Sequence, residues 1–257
     1  MLTSRKILDR YRRFANQQFT VVDLETTGGV SDRSRAIEIC VIHANCKDGV
    51  IAQYTDLINP SVQVPRDIVR FTGISQEMVD GGVPSDGLWP DYLDHLRQGV
   101  FTAHNLSFDY SFVQMEYRRL GINFVRPPDA QLCTVILSRL LLPHLKSRSL
   151  PNLVKHFNFK VGKSHRAAAD TLACWLLLEK LFEILEIDDE ELLLNRISQQ
   201  WLGLEEVAKI LALTPLEAKL ILEAQNVTSR YSQHRRALVY QRGSIENLIV
   251  TYDNKTN

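Results

Sequence analysis

The stretch Phe19-Thr-Val-Val-Asp-Leu-Glu-Thr-Thr-Gly28 limits most strongly what this chain can fold into. Its first four residues favour β-structure, and the Thr-Thr-Gly-Gly run after Glu25 predicts a turn. Because side chains alternate along a strand, Asp23 and Glu25 point to the same face. Two neighbouring carboxylates repel each other, and Mg²⁺ relieves such repulsion because it prefers oxygen ligands. The stretch alone leaves two interpretations open, a metal site or a strand end that carries acidic residues into solvent.

The composition excludes few classes of protein. The 257 residues suit one large or two modest domains, and 30 Lys and Arg balance 30 Asp and Glu, so no overall positive charge points to a nucleic-acid partner. The four cysteines (Cys40, Cys46, Cys133 and Cys174) lack the spacing of a zinc site and predict free thiols. No apolar run approaches the roughly 20 residues of a membrane span, and the first residues lack the apolar core of a secretory signal. We therefore expect a cytoplasmic protein without a membrane partner.

Two more strands follow the first one closely. Residues 36–44 and 50–57 have strand patterns with short polar connections, which predicts an antiparallel meander. Residues 1–17 predict an amphipathic helix with a basic outer face, and residues 130–142 and 149–157 predict two further helices.

A second candidate carboxylate follows a short buried strand at residues 99–103. The strand runs into His104 and Asn105, and a helix is predicted to follow with Ser107 as its N-cap and Asp109 in its first turn. An Asp in a first turn often only complements the helix dipole, so Asp109 alone carries little functional weight. Asn105 either ties two loops together or contacts a ligand.

The third segment opens a long apolar helix that is predicted to end near residue 185. His165 falls at or just before its start, and Asp170 lies in its early turns. A carboxylate among apolar neighbours is costly without a metal or a cationic partner. Taken alone, His165 is better explained as a capping or core histidine than as a catalytic residue.

Taken in order, the three motifs Asp23-x-Glu25, His104-Asn-x-x-Phe108-Asp109 and His165-x-Ala167-x-x-Asp170 resemble the DEDDh branch of 3′–5′ exonucleases. That family includes the proofreading subunit of bacterial replicative polymerases, so the resemblance points to DNA replication or repair. It covers about residues 19–185, including Phe71-Thr-Gly-Ile74, although relatives often have an aliphatic residue where Phe71 stands. The fold that the resemblance implies is α/β, a ribonuclease-H-like exonuclease domain with a central mixed sheet at residues 1–186.

The resemblance also implies the roles of single residues. Asp23, Glu25, Asp109 and Asp170 become ligands of two Mg²⁺ or Mn²⁺ ions, and His165 becomes the general base that takes a proton from the attacking water. Histidine suits this role because its ordinary pKa lies near 6.5, roughly at neutral pH. Expected substrate contacts come from Thr26, Thr27, Gly28, Ile74, His104, Asn105 and Phe108. For Thr26, Ile74 and Phe108, turn formation and core packing explain the residue equally well.

Residues 187–257 predict a small, mainly helical C-terminal region. Residues 204–213 and 216–224 predict two helices around Thr214 and Pro215, a weak helix-turn-helix pattern, and residues 237–241 predict a strand. Four arginines and two tyrosines lie between Ala224 and Ile245 without any Asp or Glu. This pattern fits a surface that holds nucleic acid, and the alternatives are docking of a polymerase or helicase and plain core packing.

The expected function is metal-dependent removal of nucleotides from a single-stranded 3′ end, with DNA favoured over RNA. The alternatives are an RNA-end-processing exonuclease of the same fold and a catalytically silent module that binds nucleic acid or a partner. The complete set of four carboxylates with His165 argues against the silent module.

Overall fold

The computed structural model describes residues 3–162, 164–233 and 235–256, with side chains up to residue 249. The chain forms two compact units. The larger one contains residues 14–137 and 146–182, and the smaller one contains the chain before residue 14, residues 138–145 and the chain after residue 182. The proposed boundary near residue 186 stays a prediction, and the N-terminal helix belongs to the smaller unit in this division.

A six-stranded mixed sheet forms the centre of the larger unit. Its strands are β1 (Gln18–Thr26), β2 (Ala36–Asn45), β3 (Gly49–Asn59), β4 (Val83–Pro84), β5 (Val100–Ala103) and β6 (Gln131–Cys133), and their spatial order is β4-β3-β2-β1-β5-β6. β1, β2 and β3 form the predicted antiparallel meander, whereas the pairs β1–β5, β5–β6 and β3–β4 are parallel. The predicted α/β class with a mixed sheet is therefore confirmed.

β1 lies in the middle of the sheet, where its apolar side chains are buried. Phe19, Val21 and Val22 are fully buried, and β1 has a partner strand on each side. The pairing with β2 shifts its register between Glu25 and Thr26, where the strand ends. The two carboxylates of β1 therefore lie at the end of a strand that the core holds firmly.

Seven α-helices within the described residues begin in the larger unit. They are α2 (Arg66–Thr72), α3 (Gln76–Asp80), α4 (Ser85–Arg97), α5 (Leu106–Arg119), α6 (Thr134–Leu141), α7 (Leu150–Phe157) and α8 (Ala167–Ile187). α1 (Ser4–Phe14) precedes them. The helices predicted for residues 1–17 and 149–157 and the long helix up to about residue 185 are confirmed.

Two local predictions were wrong. The helix predicted from residue 130 begins only at Thr134, because Gln131–Cys133 pair with β5 as a parallel strand. Ser107 is not the N-cap of α5 but lies inside the helix. Asn105 occupies the N-cap position in the left-handed conformation, with φ 77°, and its side chain makes no capping hydrogen bond. Strand pairing and tertiary position override local propensity at both places.

A buried ion-pair network fixes the loop that follows β1. The carboxylate of Glu116 in α5 is almost fully buried and accepts hydrogen bonds from Arg35 at 3.0 and 3.1 Å and from the backbone N–H of Ala36 at 3.1 Å. Arg119 contacts the same carboxylate at 3.1 Å. Because each oxygen of the buried charge is paired, α5 is tied firmly to the start of β2.

The smaller unit combines helices with a three-stranded antiparallel sheet. After α9 (Glu190–Ser198), the elements are β7 (Trp201–Gly203), α10 (Leu204–Leu211), α11 (Pro215–Ala224), β8 (Ser229–Ser232), β9 (Ala237–Gln241) and α12 (Arg242–Thr256), and the strands lie in the order β7-β9-β8. The predicted helix pair and the strand at residues 237–241 are confirmed. α9 and α12 were not predicted.

α9 begins shortly after the end of α8, at an acidic run of residues. Asp189 caps the helix by accepting hydrogen bonds from the backbone N–H groups of Glu191 and Leu192 at 2.8 and 3.3 Å. Glu190 pairs with Arg12 at 2.5 Å and also with Arg5, so the basic face of α1 is partly neutralised. Within the described residues, no helix has both the length and the apolar composition of a membrane span.

Gly99 provides a test of how tightly β5 packs on β1. It has φ 45°, and a Cβ there would overlap the backbone carbonyl of Gln18. We expect Gly99→Ala to lower the free energy of unfolding by about 3 kcal/mol, because strain and overlap add. The matched control is Gly49→Ala, where φ is 72° but the space is open, and a loss of about 1 kcal/mol is expected. If urea denaturation showed the same loss of unfolding free energy for both variants, this account would be contradicted.

Candidate active site

Three carboxylates converge at the end of β1. One oxygen each of Asp23, Glu25 and Asp170 lies within 4.8 Å of the others. β1 supplies the first two from the same strand face, and the first turn of α8 supplies Asp170. The sequence pattern predicted that carboxylates from distant segments would meet, and the structure brings these three together.

Asp109 joins the cluster from α5. Its Oδ1 accepts a hydrogen bond at 3.2 Å from the backbone N–H of Leu24, the residue between Asp23 and Glu25. The Asp109 side chain is buried, and its negative charge contributes to raising the pKa of Asp23. Asp109 therefore lies against the backbone of β1 beside Asp23, and the first turn of α5 provides it as predicted.

The four carboxyl groups destabilise one another's charged forms. Burial raises the pKa of Asp23 well above its usual range, and the charges of Asp109 and Asp170 raise it further. Burial and Asp170 raise the pKa of Glu25 to about 7. Burial likewise raises the pKa of Asp109 and of Asp170. A cluster with this much unbalanced negative charge is chemically suited to a divalent cation that accepts oxygen ligands, such as Mg²⁺ or Mn²⁺.

His165 is attached to the cluster through its backbone. Its N–H donates to Oδ2 of Asp170 at 2.8 Å, and its φ of 64° places it in the left-handed region just before α8. The imidazole packs against the ring of Phe71, with 3.9 Å between the ring centroids. His165 therefore lies at the edge of the acidic cluster, next to one of its members.

The sequence interpretation missed two residues that hold this segment in place. Arg166 donates to both oxygens of Glu38 at 2.5 to 3.1 Å, and the N–H of Ala167 donates to the same carboxylate at 2.8 Å. Glu38 lies on β2, directly opposite Glu25 on β1. Glu38 is the single carboxylate in the otherwise apolar start of β2. Because a buried charge needs a cationic partner, the sequence could have predicted an ion pair at this position.

The residues after Glu25 form the turn that the sequence predicted. The hydroxyl of Thr26 donates to the carbonyl of Gly28 at 2.8 Å, and the hydroxyl of Thr27 accepts from the backbone N–H of Arg35 at 2.9 Å. A Cβ on Gly28 would come within 2.7 Å of the Ser34 hydroxyl. Thr26, Thr27 and Gly28 thus make local turn contacts, and their substrate contacts stay a prediction.

The other expected substrate residues also have structural contacts. Nδ1 of His104 lies 2.9 Å from the Thr134 hydroxyl and Nε2 lies 2.9 Å from the carbonyl of Arg148. Ile74 is fully buried in a small core cluster, and Phe108 packs on Phe112 with centroids 4.9 Å apart. Asn105 is exposed at the N-cap of α5. For Ile74 and Phe108 these positions agree with the packing alternative that the sequence left open. Contacts of all four residues with substrate stay a prediction.

Comparison with known proteins identifies one family over most of this region. The family profile described as "RNase_T: Exonuclease" matches residues 20–178. A DNA polymerase III PolC-type protein of Clostridium perfringens is 29% identical over 227 residues, which are 86% of this chain and 15% of the relative. A 3′-5′ exonuclease DinG of Bacillus subtilis is 31% identical over 169 residues, which are 65% of this chain and 18% of the relative. The chain thus spans less than a fifth of the length of either relative.

The fold also matches solved structures. An exonuclease I of E. coli in complex with a dT13 oligonucleotide superposes with a TM-score of 0.55 at 16% identity, covering 64% of this chain and 40% of that one. The likeness supports a ribonuclease-H-like fold for the larger unit. The four carboxylates and His165 all lie within the residues that the family profile matches.

The raised pKa values predict how pH changes stability in a chelator such as EDTA, where no divalent ion is bound. A carboxyl group with a raised pKa in the folded state stabilises the fold most below its unfolded pKa, and this contribution disappears as pH rises through the folded pKa. For Glu25 the stability is lost between about pH 4.5 and about pH 7, and the loss in the free energy of unfolding is at most about 3 kcal/mol. In EDTA, Glu25→Gln should lose much less stability than wild type between pH 5 and 8 in urea denaturation. If the stability of wild type and of Glu25→Gln changed equally with pH, the proposed clustering of carboxylates would be contradicted.

Proposed function

Since the chain belongs to the RNase_T exonuclease family, we propose that it is a divalent-metal-dependent 3′–5′ exonuclease that removes nucleotides from single-stranded DNA ends. The observation that carries the proposal is the convergence of Asp23, Glu25 and Asp170, with Asp109 beside Asp23 and His165 bonded to Asp170. Single-stranded DNA is supported by the exonuclease I complex with dT13. The names of the longer relatives support a DNA role in replication or repair.

The four carboxylates would hold two Mg²⁺ or Mn²⁺ ions. Bound ions of this kind supply charge neutralisation at the phosphate and lower the pKa of the attacking water. The chain itself provides oxygen ligands from three separate elements, and the rigid β1 fixes two of them. Glu25 and Asp109 are buried, whereas Asp23 and Asp170 are partly exposed, so ions and water can reach the cluster.

His165 would act as the general base. Its backbone bond to Asp170 holds the residue beside the ligand set, and its side chain is only half-buried. The imidazole can therefore take a proton from the water and release it to solvent.

We expect Asp23→Asn or Asp170→Asn to reduce release of 3′ nucleotides by at least about a thousandfold, because each removes one charge from the ligand set. His165→Ala should reduce the rate by about 10²- to 10⁴-fold. The measurement uses 5′-labelled single-stranded DNA, duplex DNA and RNA with Mg²⁺, Mn²⁺ or EDTA, and thermal unfolding checks that each variant folds.

The same assay decides between the alternatives. Faster cleavage of RNA than of DNA would favour the RNA-end-processing exonuclease. Absence of cleavage in wild type with every metal would favour the silent binding module. Full activity of Asp23→Asn would contradict the metal proposal.

The smaller unit provides the second part of the proposal, a surface that binds nucleic acid. Of the four arginines between Ala224 and Ile245, Arg242 is buried and pairs with Glu246, and Arg235 pairs with Glu206. Arg230 and Arg236 remain exposed on the β8–β9 hairpin, and Arg230 stacks over the ring of Trp201 at 4.1 Å. Exposed arginines without acidic neighbours in sequence suit contacts to phosphates.

The exposed face of α11 does not suit contact with a nucleic acid. It carries Leu216 and Leu220, which are 68% and 58% exposed, together with Glu217 and Glu223. Carboxylates repel phosphates, so the hairpin is the better candidate for a DNA contact although α10 and α11 have the predicted helix-turn-helix order. α11 instead keeps open the alternative of a polymerase or helicase partner. A cytoplasmic location stays a prediction.

We expect the double variant Arg230→Ala/Arg236→Ala to weaken binding of single-stranded DNA in EDTA and to reduce the slope of log affinity against log salt by about 0.7 per lost phosphate contact. The control is Lys209→Ala/Lys219→Ala, which removes the same charge from exposed positions of α10 and α11. Fluorescence anisotropy at several salt concentrations measures both. Unchanged DNA binding in the arginine variant, with loss of a protein partner in Leu216→Arg, would favour docking instead.

A further inference from the structure

Phe71 is an exposed aromatic residue that packs against the proposed general base. Its side chain is 59% exposed, and its ring lies 3.9 Å from the His165 ring between centroids, with 37° between the ring planes. Because most of the Phe71 side chain is exposed, core packing alone does not explain its position. The family resemblance does not explain it either, because relatives often have an aliphatic residue there.

The backbone around Phe71 is rigid. Phe71 is the penultimate residue of α2, and Gly73 ends that helix with φ 77° and an N–H bond to the carbonyl of Val69 at 2.8 Å. Thr72 and Ile74 are buried on either side of Gly73, and the N–H of Ile74 donates to the Thr72 hydroxyl at 3.0 Å. The buried neighbours anchor the chain, so the Phe71 ring is presented from a fixed point.

The backbone of His165 is fixed as well, but its side chain is not. Its N–H is bonded to Asp170, and the next two residues are bonded to Glu38. A half-exposed histidine on a fixed backbone still has several staggered χ1 positions. The ring of Phe71 is a packing partner that favours one of them.

We propose that Phe71 is a positioning residue that holds the imidazole of His165 in the orientation used for proton transfer. The inference rests on the proposed role of His165 as general base and assigns Phe71 no contact with the reacting atoms. Aromatic pairs of this kind contribute enough to change a population by about three- to tenfold. An enzyme that preorganises its base in this way avoids the cost of ordering it in each turnover.

The test compares Phe71→Ala with Phe71→Tyr in single-turnover cleavage of labelled single-stranded DNA. Phe71→Ala should lower the maximal rate by about three- to tenfold with little change in the affinity for DNA, and Phe71→Tyr should restore the rate because it keeps the ring. Val62→Ala, at an exposed position just before α2, is the control and should leave the rate unchanged. A weaker affinity with an unchanged maximal rate would overturn the proposal in favour of a substrate contact.

A double-mutant cycle tests whether Phe71 acts through His165. In the His165→Ala background, Phe71→Ala should have no further effect on the rate, and the same decrease in both backgrounds would overturn the proposal. If His165→Ala itself left the rate unchanged, the proposed general base would fail. If His165→Ala lowered the rate and Phe71→Ala did not, only the positioning role would fail.

A spectroscopic measurement completes the test without relying on activity. The ring current of Phe71 should shift the carbon-bound imidazole protons of His165 upfield in NMR spectra of the whole protein. Phe71→Ala should remove this shift, and Phe71→Tyr should keep it. Identical His165 resonances in wild type and Phe71→Ala would overturn the proposal.

Discussion

The mutual repulsion of the carboxylates at the end of β1 is the constraint on which the site depends. Asp23, Glu25 and Asp170 lie within 4.8 Å of one another, and Asp109 adds a fourth charge beside Asp23. A fold does not bring such groups together by local preference, because burial and like charge both oppose their ionised forms. The surrounding core therefore has to impose the arrangement, and clusters of this kind are typical of functional sites.

The core imposes this arrangement of carboxylates through one central strand and two buried ion pairs. β1 is buried between β2 and β5, so its two carboxylates cannot move apart. Glu116 holds the start of β2 through Arg35, and Glu38 holds the start of α8 through Arg166. The two ion pairs have the same form, a buried carboxylate with a partly exposed arginine. They hold the segments on either side of the acidic cluster, and the charge of Arg166 also lowers the pKa of Glu25.

Much of the larger unit could be predicted because its patterns are local. The run of apolar residues before Asp23 predicted β1, and the family resemblance that the three acidic motifs carry implied that their carboxylates would meet. The strand at Gln131–Cys133 could not be predicted in the same way, because it exists only through pairing with β5. The bond between Arg166 and Glu38 likewise joins residues 128 positions apart. Contacts with large separations leave only indirect signs in a sequence, such as one charge in an apolar strand.

The most direct measurement of the central claim is anomalous diffraction from crystals of the protein grown with Mn²⁺. The account predicts strong manganese peaks at bonding distance from the carboxylates of Asp23, Glu25 and Asp170, with Asp109 nearby, and their disappearance in Asp23→Asn crystals grown under the same conditions. Manganese peaks only at other surfaces, with these side chains well ordered in both crystals, would contradict it.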